Sequence, residues 1–160
     1  MNYQPQKTAG EVTVNSYDMM SEFEQRSIQI LRHANDLFEK DDFSELPLNI
    51  RELFSNKFSR YLLTDYISFF ATYYLRPIVR HHPSCKCVGA DENVFAHILR
   101  LSVKGEENEV KILGSLLIKS NQLKNLSTKA KVVAFLINED LTGSLNNLGK
   151  SQTAHKNQLH

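Results

Sequence analysis

The residues of this chain best suited to chemistry lie in one short segment: His81-His82-Pro83-Ser84-Cys85-Lys86-Cys87-Val88-Gly89-Ala90-Asp91-Glu92. Imidazole and thiolate are the ligand types that zinc takes in tetrahedral sets of four. His81, His82, Cys85 and Cys87 fall within seven positions, and Pro83 and Gly89 bracket the cysteines with turn-forming residues. His97, further along, is a further candidate ligand. Zinc is the cofactor this set would suit. The spacing lacks the two separated ligand knuckles of a strong zinc signature. A single loop would have to wrap the ion almost alone, unless two chains each gave Cys85 and Cys87.

The same loop supports two other readings. Arg76, Arg80 and Lys86 lie near both thiols in sequence, and the positive end of a helix starting near Asp91 points their way. Both influences favour the reactive thiolate. Cys85 and Cys87 could close a small disulfide ring that is readily reduced, which suits a redox sensor. In the plainest reading the cysteines are small buried hydrophobes under a turn. His81 and His82 are then solvated at a helix end, where a cation is favoured. Arg76, Arg80, His81, His82 and Lys86 could also meet a phosphate at the helix start. Against this, an acidic cap at Asp91 would occupy the same donors.

Other titratable residues carry less. His33 sits among polar neighbours and is expected to be solvated. Asp65 interrupts an apolar helix and could be a buried ligand, but is rather expected to face a gap or pair with Arg60 or Arg76. Glu106, Glu107 and Glu109 suit a helix start through the backbone dipole. There is no glycine-rich phosphate loop, nucleophile elbow or His-Glu-x-x-His, and no sustained heptad pattern. No catalytic residue is assigned.

The elements that must position the loop read as helices. Ser16 or Asp18 can cap a first helix running to about Lys40, with Met20, Phe23, Ile28, Leu31, Ala34, Leu37 and Phe38 on its inner stripe. Asp41 and Asp42 end it. A loop with Pro47 leads to a short helix near Ile50 to Asn56. The helix from Phe58 to Leu75 is the most apolar and is expected to be the most buried, with Pro77 ending it. Asp91 is the expected N-cap of the next helix, whose inner residues are Val94, Phe95, Ile98 and Leu101. Gly105 is its left-handed C-cap, and a tight hairpin leads to a helix burying Val110, Leu113, Leu116 and Leu117. The last helix, capped by Ser127, buries Ala130, Val133, Ile137 and Leu141, although its centre would also suit a strand.

The fold expected is all-α, a compact single-domain bundle or orthogonal array of about five to six helices. Residues 17–142 form the domain. Residues 1–16 make a flexible arm, in which Val12 and Val14 could add a short edge strand, and residues 143–160 make a disordered tail. The chain has 160 residues, of which 41% are hydrophobic, enough for one core. With 19 Lys and Arg against 18 Asp and Glu, it lacks the basic excess of proteins that neutralise phosphates. No nucleic-acid partner is expected. The longest apolar stretch, Tyr61 to Leu75, is broken by Asp65 and falls short of the roughly 20 residues a span requires. No membrane association is expected, and the polar N-terminus shows no signal peptide. With two cysteines at close spacing, the reducing cytoplasm is the expected compartment.

These features point to a cytoplasmic regulatory or adaptor protein that binds a protein partner, metal- or redox-responsive through its His-His-x-x-Cys-x-Cys loop. A homodimer through the aromatic helix, with Tyr61, Tyr73 and Tyr74 at its rim, is one form the partnership could take. The alternative is a small enzyme using the loop as a metal or thiol centre.

Overall fold

The computed structural model describes residues 10, 12–34, 54 and 56–156, with side chains described as far as 143. The expected ends of the first helix at Lys40 and the short helix near Ile50 to Asn56 fall largely outside the described residues. Within them the chain is an all-α, single-domain bundle of five helices. A two-stranded ribbon is added to the bundle.

The ribbon is the short strand that Val12 and Val14 suggested: Thr13–Ser16 (β1) pairs antiparallel with Cys87–Gly89 (β2). Thr13 lies opposite Gly89, Asn15 opposite Val88 and Ser16 opposite Cys87, with an irregularity between Thr13 and Asn15. The Tyr17 N–H bonds the Lys86 carbonyl at 2.8 Å and the Ala90 N–H bonds the Val12 carbonyl at 3.0 Å. Part of the expected flexible arm is therefore paired to the loop of interest.

Helix α1 spans Glu22–His33. Its cap is Ser21, not Ser16 or Asp18. Ser21 and Glu24 form a capping box, in which the Ser21 Oγ accepts from the Glu24 N–H and the Glu24 carboxylate accepts from the Ser21 N–H. Two orphan donors are satisfied at once, which neither earlier residue offers. Burial would raise the Glu24 pKa; the Ser21 side-chain and backbone bonds, with Arg100 and His97 nearby, bring it below the usual range.

Helix α2 spans Lys57–Tyr73, and its N-cap Asn56 accepts from the Ser59 N–H at 2.7 Å. The chain then extends, and Tyr74 bridges Ile118 four residues before Ile78 re-enters the core. Leu63, Tyr66, Ile67, Phe69 and Phe70 are buried, but Phe58 is 69% exposed and Tyr61 67% exposed. The stretch expected to be the most buried, Phe58 to Leu75, is thus buried along one stripe and exposed at Phe58, Tyr61 and Leu75, because its apolar surface exceeds what its neighbours cover. Asp65 pairs with Lys129, and not with Arg60 or Arg76.

Helix α3 (Ala90–Lys104) packs against α1, α4 (Glu107–Gly114) and α5 (Leu123–Lys156). Phe95, Ala96, Ile98 and Leu99 on it are buried. Gly105 takes the left-handed conformation at φ 77° and ends α3 as expected, and Glu107 and Glu109 open α4. Val110 and Leu117 are buried as expected, whereas Leu116 is exposed. Helix α5 begins four residues before Ser127, continues past 143, and buries Ala130, Val133 and Ile137. Its strand-like centre is helical. The core joins Phe70 of α2 edge-on to Phe95 of α3 at 5.2 Å between ring centroids.

Among the described residues, no helix is long and apolar enough to cross a membrane.

Candidate functional site

The loop from Arg76 to Val88 has too few strand or helix bonds to satisfy its own backbone, and buried backbone polar groups require partners. Two acidic residues in the first turn of α3 and one arginine at the end of α1 supply them.

Glu92 is the centre. Its Oε1 accepts from Arg32 Nε at 2.7 Å and from the His81 N–H at 2.9 Å. Its Oε2 accepts from Arg32 Nη2 at 3.0 Å, His81 Nδ1 at 2.9 Å and the Gly89 N–H at 3.0 Å. The bond to Gly89 is one arm of a capping box; glycine has no side chain to return the other. An ionised carboxylate only accepts, so His81 holds its proton on Nδ1. Burial would raise the pKa of Glu92, but the bonds from Arg32, from the Gly89 and His81 N–H groups and from the His81 ring bring it below the usual carboxylate range.

Arg32 and Glu92 side chains are both fully buried. Arg32 also donates to the Cys85 carbonyl at 2.8 Å and the Cys87 carbonyl at 2.7 Å. Its guanidinium lies 5.6 Å from the Tyr17 ring centroid. The planar five-donor fork of arginine suits this convergence in a way lysine would not. Asp91 takes Arg76 in a two-point pair at 2.7 and 2.8 Å and the Val79 N–H at 2.9 Å. That pairing raises the Arg76 pKa. A Cβ on Gly89 would lie 2.7 Å from the His81 ring and 2.9 Å from the Gly10 carbonyl, so the crossing of ribbon and loop requires glycine there.

Cys85 and Cys87 are joined in a disulfide, with Cα atoms 5.4 Å apart and Lys86 between them. Both are half-buried. Lys86 is exposed and pairs with Asp18 at 2.7 Å.

Among the described residues, no group of three or more His, Cys, Asp or Glu could hold a metal ion, and the expectation of zinc is corrected. The sulfurs bind each other. His81 is turned to Glu92, whose lone pairs are filled. His82 bonds the Ser84 hydroxyl at 2.8 Å. His97 bonds the Asn93 carbonyl one turn back on α3 at 3.0 Å. The five candidate residues are thus divided: His81, Cys85 and Cys87 share the Arg32–Glu92 cradle, while His82 and His97 have other partners. Asp91 is not the N-cap of α3, since Gly89 holds that position. Of the residues that could meet a phosphate, Arg76 is taken by Asp91 and His81 by Glu92, while His82 bonds Ser84 and Lys86 pairs with Asp18. His33 is half-buried, and burial together with Arg32 lowers its pKa.

Arg32 and Glu92 escaped the sequence reading. The signal was available: Arg32 stands one turn after Ile28 and beside Leu31 on the inner stripe of α1, where an arginine needs a buried acid. Glu92, three residues after a glycine that opens a helix, is where an acid reaches back to the cap.

No protein-family model, curated protein or solved structure matches this chain.

Proposed function

We propose that this chain is a cytoplasmic regulatory or adaptor protein that binds a protein partner and responds to thiol redox state through Cys85 and Cys87. The observation that carries the reading is the attachment of the disulfide to the fold's buried ion pair. Arg32 holds the carbonyls of both cysteines and, with the same guanidinium, the carboxylate of Glu92. Cys87 is also the strand residue opposite Ser16. Opening the disulfide changes a loop tied at once to α1, α3 and the ribbon. In a reducing compartment disulfides are typically transient or sensing rather than structural.

The step is thiol–disulfide exchange. A low-molecular-weight disulfide oxidises the two thiols, giving the Cys85–Cys87 bond and two low-molecular-weight thiols; excess thiol reverses it. The partner surface we assign begins at Phe58 and Tyr61, exposed apolar side chains at the start of α2. A second copy of the chain is its simplest occupant.

The test is equilibration of the full chain in glutathione buffers of graded poise, followed by alkylation, mass analysis and amide exchange. The expected result is a reversible two-electron transition, from two alkylated cysteines to none. Protection at Thr13–Ser16 should change with it, and Cys87→Ser should remove the change. Identical amide protection in both states would overturn the reading.

A further inference from the structure

The two sulfurs of the disulfide differ in their surroundings. The Cys87 N–H donates to the Cys85 Sγ at 3.4 Å. Among the described residues, no N–H or O–H donor meets the Cys87 Sγ. The neighbouring charges do not distinguish the pair. Arg32 bonds the carbonyl of each cysteine, at 2.8 and 2.7 Å, and its charge is balanced by Glu92. Lys86 stands between the cysteines in sequence, with its exposed ammonium on Asp18. Both cysteines are half-buried. The N–H on the Cys85 sulfur is thus the hydrogen-bonding difference between them.

From this asymmetry we infer that Cys85 is the nucleophile of the thiol–disulfide exchange and Cys87 the resolving thiol. The inference rests on the redox reading above and orders its two steps. A hydrogen bond to the charged form of a group favours that form, and the thiolate is the nucleophile. The N–H contact spans one intervening residue, so it does not depend on the ribbon pairing that reduction is proposed to change. Cys85 is also held from its other side, where its N–H bonds the His82 carbonyl at 2.9 Å. In the first step the Cys85 thiolate attacks one sulfur of a low-molecular-weight disulfide. The S–S bond of that molecule breaks, a mixed disulfide forms at Cys85, and one small thiolate leaves. In the second step Cys87 gives its proton to solvent and attacks the Cys85 Sγ. The second small thiolate is expelled and the Cys85–Cys87 bond closes. Two protein thiols are oxidised and one small disulfide is reduced to two small thiols. Excess small thiol reverses both steps. The expected advantage of Cys85 is modest. Lowering its titration by about one pH unit raises its thiolate fraction near neutrality about tenfold but cuts intrinsic nucleophilicity about threefold, a net gain of about threefold.

The test is limiting iodoacetamide on the fully reduced full chain near neutral pH, with the label located by fragmentation mass analysis. Cys85 should carry it about threefold more often than Cys87, and the pH midpoint of labelling should be lower for Cys85. The preference should persist at high salt, where the exposed Lys86 ammonium is screened. With glutathione disulfide as oxidant, Cys87→Ser should accumulate a mixed disulfide at Cys85, because the resolving thiol is gone. Cys85→Ser should form one at Cys87 about threefold more slowly. Equal labelling, a preference for Cys87, or a preference for Cys85 that vanishes at high salt would overturn the inference, and the labelling needs no variant to fold. Failure here is distinct from failure of the redox reading. Identical amide protection in the oxidised and reduced chains overturns that reading and leaves the labelling order standing. Even labelling overturns the order of the steps and leaves the two-electron transition standing.

Discussion

The aromatic core around Phe70 and the ionic cradle around Glu92 meet on one helix, α3, and are built by opposite rules. In the core, Tyr66, Phe70 and Phe95 pack edge to face and tilted, and shape is the whole requirement. Among the described residues, the buried Tyr66 hydroxyl has no hydrogen-bond partner. A neutral phenol survives this, and burial raises its pKa, holding it neutral. The cradle has no such tolerance. The Glu92 carboxylate is charged and its side chain fully buried, and each oxygen is met by at least two donors. A buried charge must be paired or it destabilises the fold. The lesson is that a core can lose one contact at a local cost, whereas loss of one cradle member strands the others.

The sharpest way to break this comparison is to remove one central residue from each region. Arg32→Met leaves Glu92 buried without its cation and the Cys85 and Cys87 carbonyls without donors. It should destabilise the chain by about 3–5 kcal/mol. Phe70→Ala leaves a cavity and should cost about the same, ~3–5 kcal/mol. The two differ in coupling. Adding Glu92→Gln to Arg32→Met should recover part of the loss, a coupling of about 0.5–3 kcal/mol, because the stranded charge is gone. Adding Glu92→Gln to Phe70→Ala should be close to additive, since Phe70 shares none of the Glu92 donors. Urea unfolding of the five variants measures both, and additivity in the first pair would remove the distinction.

This difference also explains what could be read from the sequence. Phe69, Phe95, Ile98, Val110, Ala130 and Val133 announce themselves by helical spacing, and Gly105 by its place after the last periodic residue of α3. All are where expected. The cradle has no such period. Arg32 and Glu92 are sixty positions apart, and each was legible only as an oddity of its own helix. The sequence supports the Cys85–Cys87 pairing and zinc alike, because spacing alone does not reveal that His97 bonds the Asn93 carbonyl and that Glu92 occupies His81. The exposure of Phe58 was misjudged for a related reason: a wide apolar stripe predicts burial only where a neighbour exists to cover it.

Acid should separate the regions next. Glu92 is held below the usual carboxylate pKa in the folded chain, so its ionised form favours folding. That contribution is fully present above the unfolded carboxylate range and is lost as pH falls through the lowered folded value. Glu24, lowered through Ser21, behaves the same way on α1. Stability should therefore decline with acidification for the native chain and for Phe70→Ala in parallel. Glu92→Gln should start lower near neutrality and show a shallower acid slope, with the remainder due to groups such as Glu24. Denaturant unfolding at a series of pH values reads the slopes directly. Equal slopes for native and Glu92→Gln chains would mean that the cradle is not a seat of acid sensitivity.

The smallest effect expected comes from the same residue type on the same helix as Phe70. Phe58 lies one residue into α2 and is 69% exposed, whereas Phe70 is fully buried. Phe58→Ala creates no enclosed cavity and removes no partner of a buried polar group. It should therefore change stability by no more than about 0.5 kcal/mol, the usual scale for exposed substitutions away from special features. Alanine's better helix propensity offsets part of whatever side-chain contact is lost. The measurement must be made at several protein concentrations. A monomeric chain gives one small value throughout. If Phe58 meets a second copy, as the partner surface proposed above requires, the native chain gains stability with concentration by mass action and Phe58→Ala does not. A concentration-independent difference near zero would remove the homodimer from that proposal while leaving the contrast between Phe58 and Phe70 intact. A large difference at every concentration would instead show that Phe58 belongs to the core.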